Sequence, residues 1–182
     1  MSRLPYNSIQ APASPPSRRL WLQSGVACLL SSALPARALD KPTGPVVLTV
    51  SGRVRQVNEG GSAQFDMGML EAIQQQTLVT RTPWFAQARR FTGPLLRDVL
   101  ALAGANGNTL RLIALNDYRV DMPYDDTQRF DVVLARLLDD KPMTVRDKGP
   151  LFAIYPFDMR AELRSAVYYG RSAWQLRKID VL

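Results

Sequence analysis

The sequence predicts a strand-dominated α+β domain with mixed β-sheets and a few short helices. Residues 48–54 alternate apolar and polar side chains, as a half-buried strand does. Residues 109–115 and 118–122 are two more strand-like runs, and the Asn-Asp dipeptide between them indicates a tight hairpin turn. Residues 94–104 instead place apolar side chains at helical spacing, so the chain combines both kinds of element.

Turn-forming residues and a helix cap divide the first half of the domain. Residues 58–62 contain two consecutive glycines and predict a turn. Asp66 is a suitable N-cap for a helix over residues 67–76, because its carboxylate can accept from the free N–H groups of the first helical turn. Residues 77–81, which are rich in threonine and aliphatic side chains, then predict a short strand.

A second helix is marked more clearly than the first. Pro94 suits the first position of a helix, where a missing N–H costs no hydrogen bond. Leu96, Val99 and Leu100 then share one face, and Gly104 can end the helix. The remaining strand-like segments are residues 132–138, 151–155 and 174–181, with a turn at residues 139–142.

Residues 1–38 have the composition of an export signal. They contain four arginines and no acidic residue, and residues 20–34 are only weakly apolar. That stretch is too short and too polar to span a bilayer, which takes about 20 mostly apolar residues. Ala36 and Ala38 place small side chains where a signal peptidase reads them, so the chain predicts one folded domain over residues 39–182. We expect a periplasmic or secreted protein without a stable membrane span.

The motif SRRLWLQ at residues 17–23 resembles a twin-arginine export signal. Its arginine pair, Arg18 and Arg19, stands directly before the weakly apolar segment. Twin-arginine export carries proteins that fold in the cytoplasm, often around a cofactor. An ordinary secretory leader is the alternative interpretation.

Charge and residue types exclude several classes of function. Four of the 23 basic residues lie in the leader, which leaves 19 basic against 16 acidic residues in the domain. So small an excess predicts no nucleic-acid partner, because such a partner requires a clustered basic face. The only cysteine is Cys28, and the chain has no histidine. A Ser-His-Asp or Cys-His nucleophile and a haem-attachment motif are therefore absent from the sequence.

Two motifs in the last third of the chain resemble one known family. The first is VRDKGPLFAIYPFD at residues 145–158, and the second is YGRSAWQLRKIDV at residues 169–181. FTGPLLRDVL at residues 91–100 and LNDYRV at residues 115–120 extend the similarity over nearly the whole domain. Together these segments resemble the molybdopterin-binding oxidoreductase domain of the sulfite oxidase type, including its short stand-alone exported members.

The resemblance implies a pterin pocket between the loops that flank these motifs. Residues 146–149 would lie beside the phosphate and the pyran ring, where a glycine lets the backbone approach a ligand closely. Arginine, lysine and serine side chains suit such a phosphate, and nearby aromatic rings could stack on the pterin. The candidate cofactor-binding residues are Arg81, Asn116, Tyr118, Arg146, Lys148, Gly149, Arg164, Arg171 and Ser172.

We expect the pocket to be cationic. Arg146, Lys148 and Arg171 should line a common concavity, with Asn116 or Tyr118 at its rim. Such a pocket would bind a pterin or another small anionic ligand. The alternative is that the arginines point separately into water and contribute little to binding.

Two pairs of adjacent carboxylates, at residues 125–126 and 139–140, are interpreted as turn and cap residues. Adjacent side chains point in different directions, which does not suit paired acid–base catalysis. The sequence therefore predicts no catalytic residue in either pair.

The metal-binding cysteine of the family has no counterpart in the domain. By the resemblance, its position corresponds to TRTPW at residues 80–84, which contains no thiol. Molybdenum of this type is held by the dithiolene sulfurs of its cofactor and by one protein thiolate, which threonine or arginine cannot replace. The resemblance thus implies a molybdopterin, whereas we expect no thiolate-ligated molybdenum, no other metal ligands and no haem.

Two functions are open at this point. The first is an exported molybdopterin-dependent-oxidoreductase-type domain that binds a pterin cofactor or a small anionic ligand, with its redox activity in question because the cysteine is missing. The second is a non-catalytic periplasmic ligand-binding or sensory module that presents a small anion to a partner protein. The expected partner is a separate periplasmic redox or signalling protein. A redox function would require one, since the chain has no haem motif of its own and any electrons must come from another protein.

Overall fold

A computed structural model of the protein describes residues 39–182. These residues form one α+β unit dominated by strands, which confirms the predicted fold class. The predicted leader, residues 1–38, lies outside the described residues. Within residues 39–182, no helix has both the length and the apolar character needed to cross a bilayer.

Short strands and short helices alternate along this part of the chain. The strands are β1 Val46–Gly52, β2 Ala63–Asp66, β3 Gln75–Thr82, β4 Phe85–Pro94, β5 Thr109–Ala114, β6 Arg119–Pro123, β7 Val133–Ala135, β8 Leu137–Leu138, β9 Lys141–Pro142, β10 Phe152–Ile154 and β11 Leu176–Val181. The α-helices are α1 Met67–Ala72, α2 Leu96–Leu102, α3 Asp126–Arg129 and α4 Ala166–Arg171, and two 3-10 helices span Val145–Asp147 and Ala161–Leu163.

The largest sheet has five strands in the order β2-β1-β11-β5-β6. The β1 and β11 strands are parallel, and the other neighbours are antiparallel, so the sheet is mixed as predicted. The predicted hairpin is confirmed as β5 and β6. At its turn Asp117 has a φ of 61°, and the Tyr118 N–H donates to the Asn116 side-chain oxygen at 3.1 Å.

The second sheet is built on a long hairpin of β3 and β4, with β8 and β9 on the β4 side. Two differences from the sequence prediction occur here. The β4 strand was not predicted, and the predicted strand over residues 132–138 is divided into β7 and β8. The β7 strand leaves this sheet and pairs with β10. The hairpin turn lies at residues 83–84 and reaches the cavity described below.

Both predicted helices occur, but with different bounds. The α1 helix ends at Ala72 rather than near residue 76, because Ile73 adopts an extended conformation and Gln75 already begins β3. The predicted place of Pro94 at the first helical position is wrong. Pro94 is the last residue of β4 and pairs with Gln75, so α2 begins only at Leu96.

The predicted N-cap at Asp66 is confirmed. Its carboxylate accepts from the Met69 N–H at 2.8 Å and from the N–H groups of Thr43 and Gly44 at 2.7 and 2.8 Å. The hydrogen bonds from Met69, Gly44 and Thr43 lower the pKa of the Asp66 carboxyl. One side chain therefore caps α1 and also attaches the segment before β1 to the start of that helix.

One apolar core joins the sheets. The predicted face of α2, formed by Leu96, Val99 and Leu100, is fully buried in it. The largest fully buried side chains are Tyr155, Phe65, Phe91, Phe152 and Phe157. The aromatic part of this core continues outward to the surface, where it forms one wall of the cavity described next.

Candidate functional site

Three connections between elements meet around a cavity of about 320 Å³, which we call the aromatic cavity. The β3–β4 turn, the β5–β6 turn and the segment from α4 to β11 supply its walls. The lining residues are Trp84, Asn116, Tyr118, Tyr169, Gly170, Ser172, Ala173 and Trp174. The volume is near the lower end of the range of roughly 300 to 1,000 Å³ that is usual for small-molecule sites.

Trp84 lies at the centre of the aromatic wall. Its ring centroid is 5.4 Å from those of Phe152 and Trp174 and 6.1 Å from that of Tyr169, with the rings edge to face. Phe152 is fully buried, so the wall is continuous with the core. Edge-to-face packing of this kind restricts ring orientation, and the cavity wall is therefore formed before any ligand arrives.

The polar groups of the cavity are neutral. The Tyr118 hydroxyl donates to the Gly170 carbonyl at 3.1 Å, and the Ser172 hydroxyl donates to the Tyr168 carbonyl at 3.0 Å. Both hydroxyl oxygens keep acceptor capacity, and the Asn116 side-chain amide still has N–H groups to donate. Apolar ring faces with a few neutral donors and acceptors suit a planar molecule that has polar edges.

A buried ion pair anchors α4, which supplies Tyr169 and Gly170 to the cavity. The Asp126 carboxylate accepts from Arg171 Nη1 at 2.8 Å and from the Tyr155 hydroxyl at 2.6 Å. Burial, and then the bond to Asp126, raise the pKa of the Tyr155 phenol. The interpretation of Asp126 as a turn or cap residue is therefore wrong, because its side chain is 5% exposed and joins three segments of the fold.

The predicted cationic concavity does not form. Arg171 is bonded to Asp126, and Arg146 is exposed on the 3-10 helix at Val145–Asp147. Lys148 lies beside the cavity, with its ammonium 4.2 Å from the centroid of the Trp174 ring. None of these three cations lines the cavity, although three other predicted residues do, namely Asn116, Tyr118 and Ser172.

The other predicted residues also do not line the cavity. Arg81 is exposed, and its backbone N–H donates to Asp158 Oδ2 at 2.9 Å. Arg164 is exposed at the end of the 3-10 helix Ala161–Leu163. Gly149 is buried, and a Cβ there would overlap the carbonyl oxygen of Met143. Its close approach is therefore to its own chain, whereas we expected an approach to a ligand.

The residues at the family's metal position do not fit a thiolate-held molybdenum. Thr80 is fully buried, and its hydroxyl accepts from the Asp158 N–H at 3.2 Å. Residues 39–182 contain neither cysteine nor histidine. Across the same residues, no group of three or more aspartate or glutamate side chains is arranged to hold a metal ion. The side chains at this position carry hydroxyl and guanidinium groups, and neither group is a suitable ligand for a soft metal.

Comparison with known proteins supports the fold. No family model and no curated protein matches the chain. The solved structure of the sulfane dehydrogenase SoxCD from Paracoccus pantotrophus superimposes with a TM-score of 0.54 at 15% sequence identity. The chain has a sulfite-oxidase-type molybdopterin-domain-like fold. The match covers 74% of this chain and 37% of the matched chain of SoxCD, so this chain spans just over a third of the length of that chain.

Sequence reasoning missed two features of the site. Trp84 was not among the predicted binding residues, because β4, the strand that makes residues 83–84 a hairpin turn, was not predicted. The pairing of Asp126 with Arg171 had no local signal, because the two residues are 45 positions apart. The consequence is that an arginine expected to bind a ligand has a structural role.

Proposed function

We propose that this chain is a ligand-binding domain without redox chemistry of its own, and that the aromatic cavity is its binding site. One observation carries the proposal. The cavity is walled by aromatic rings and neutral polar groups, and its lining contains no thiol, imidazole, carboxylate or cationic side chain. Such a lining can bind and orient a planar molecule but offers no thiol, no base to activate a hydroxyl as a nucleophile, and no imidazole or carboxylate as a metal ligand.

The class of ligand follows from the rings. A flat heteroaromatic compound can stack on the indole and phenol rings, while its polar edges meet Asn116, Tyr118 and Ser172. The resemblance to molybdopterin-binding domains favours a pterin ring within this class. We propose that the protein acts in the periplasm, where the bound ligand is presented to a separate signalling or redox protein.

A molybdopterin-dependent oxidoreductase is the second candidate. The likeness of the fold to that of a sulfane dehydrogenase favours it. The threonine and arginine side chains at residues 80–82 argue against it, since they cannot replace a thiolate as a ligand of molybdenum. Function depends on the site rather than on the fold, and we therefore place the binding domain first.

Calorimetric titration with pterin tests the binding site. We expect wild-type protein to bind pterin, and Tyr118→Ala to weaken the affinity by about tenfold or more, because one aromatic stacking contact contributes roughly 1 to 3 kcal/mol. Val167→Ala is the matched control. Val167 lies on α4 and is 56% exposed, against 47% for Tyr118, but it does not line the cavity. Absence of binding of pterin and of its anionic derivatives to the wild type, or equal weakening by both variants, would contradict the proposal.

Metal analysis separates the two candidates. Protein purified from its own host, with the cofactor pathway intact, should contain molybdenum well below one atom per chain and should turn over little sulfite or sulfoxide. The physical reason is the missing thiolate donor. A stoichiometric molybdenum content together with robust turnover would favour the oxidoreductase.

A further inference from the structure

Two bulky residues next to the aromatic cavity have left-handed backbone conformations. Lys148 has a φ of 74° and Gln175 a φ of 52°. Among residues 39–182, the other non-glycine residues with positive φ are aspartates in turns, where this conformation is common. Lys148 is the left-handed cap of the 3-10 helix Val145–Asp147, and its N–H donates to the Val145 carbonyl at 3.3 Å. Gln175 caps no helix, and its conformation is therefore the unusual one.

The two residues hold each other in place. The Gln175 N–H donates to the Lys148 carbonyl at 2.9 Å, and the Gln175 side-chain amide donates to the Val145 carbonyl at 2.8 Å. The Gln175 carbonyl accepts from the Leu115 N–H at 2.9 Å. Gln175 thus connects the 145–149 loop, the β5–β6 turn and the start of β11. The neighbouring Trp174 and the backbone of Lys148 are fixed relative to the cavity as a result.

Lys148 has a cationic head without a carboxylate partner. Its ammonium lies over the Trp174 ring at 4.2 Å from the centroid, and Trp174 lines the cavity. Among the described residues, no carboxylate lies within ion-pair distance of this ammonium. The adjacent Asp147 side chain accepts from the Thr144 hydroxyl at 2.7 Å instead. The half-buried Lys148 therefore places its ammonium against Trp174, a residue that lines a neutral cavity.

We propose that Lys148 is the specificity-determining residue of the aromatic cavity, and that it selects planar ligands that carry an anionic group on the ring. This inference rests on the proposed function of the cavity as a site for a planar molecule. The four-carbon side chain of lysine is flexible, so the ammonium can leave the Trp174 ring and meet a carboxylate or phosphate on a stacked ligand. A charge-assisted hydrogen bond of this kind is stronger than the cation–π contact that it replaces.

Three probes that share one ring system test the proposal by calorimetry at pH 7. Pterin is neutral, pterin-6-carboxylate carries a carboxylate, and the phosphate ester of 6-hydroxymethylpterin carries a phosphate. We expect at least one anionic probe to bind wild-type protein about tenfold to a hundredfold more tightly than pterin. The better of the two identifies the anionic group that the site prefers.

Variants assign the selectivity to Lys148. Lys148→Met should lose the preference for the anionic probe while it keeps its affinity for pterin. Arg146→Gln removes an exposed cation two residues away that makes no cation–π contact with Trp174, and it should keep the full preference. A denaturation midpoint equal to that of wild type confirms that Lys148→Met is folded.

The possible failures are distinguishable. Equal binding of the neutral and anionic probes to wild type would overturn the role of Lys148 and leave the proposed function intact. The same follows if Lys148→Met keeps the anion preference or if Arg146→Gln loses it. Absence of binding of all three probes would overturn both the role of Lys148 and the proposed function.

Discussion

Replacement of Asp126 by alanine should lower the free energy of unfolding by about 3 to 5 kcal/mol, which is the usual cost of leaving half of a buried ion pair without its partner. The Asp126 carboxylate is the acceptor for both the Arg171 guanidinium and the Tyr155 hydroxyl. Without it, a fully buried phenol and a largely buried guanidinium have no acceptor. Urea denaturation of the variant and of wild type measures the loss.

The neighbouring residue provides a matched control for this experiment. The Asp125 side chain is 70% exposed, and its Oδ2 lies 3.9 Å from Arg129 Nε. Because an exposed ion pair of this kind contributes little, Asp125→Ala should change the free energy of unfolding by no more than about 0.5 kcal/mol. Asp126→Ala should also weaken pterin binding, because Arg171 ends the helix that supplies Tyr169 and Gly170 to the cavity. If the two alanine variants are equally stable, the buried pair does not anchor α4.

Replacement of Gly93 by alanine should be about as damaging, with an expected loss of about 3 kcal/mol, at the upper end of the usual cost of overpacking. Gly93 lies in β4, and a Cβ there would overlap the Leu134 carbonyl oxygen and come within 2.9 Å of Ala135 Cα. Both neighbours are backbone atoms of β7, which cannot move aside as a flexible side chain can. The free energy of unfolding, measured in urea, checks the prediction.

Gly170 is the control for this substitution. It lies in α4, and no atom is within 4 Å of a Cβ built on it. Gly170→Ala should therefore leave stability unchanged or raise it by up to about 1 kcal/mol, because alanine is the better helix former. A Gly93→Ala variant as stable as Gly170→Ala would show that β4 and β7 separate more easily than their packing indicates.

The local patterns of the sequence were sufficient for most individual elements. The alternating residues of β1, the hairpin of β5 and β6, the Asp66 cap and the buried face of α2 all follow from short-range chemistry, and each is confirmed. Element bounds were less predictable. Pro94 satisfies the rules for a first helical position, but the pairing of β4 with β3 places it at the end of a strand.

The candidate site was only partly predictable, because side chains from distant segments compete for each charged group. Asn116, Tyr118 and Ser172 line one cavity, and all three lie in connections next to recognisable strands. Arg171 was expected to face a ligand, but a carboxylate 45 residues away binds it instead. Residue type alone indicates what an arginine can bind, and not which partner lies nearest after folding.

The sequence by itself determined the strand-dominated fold class, the absence of a thiolate or imidazole from residues 39–182, and the family that the chain resembles. The first two depend on composition and on periodicity within short windows, and the resemblance depends on short motifs, so none of them needs knowledge of long-range contacts. Only the tertiary structure decided that the cavity is aromatic and neutral, that Asp126 holds Arg171 in the interior, and that Lys148 stands alone beside Trp174. The physical reason is that each of these features joins residues far apart in sequence, and the packing of sheets against loops determines which of them meet.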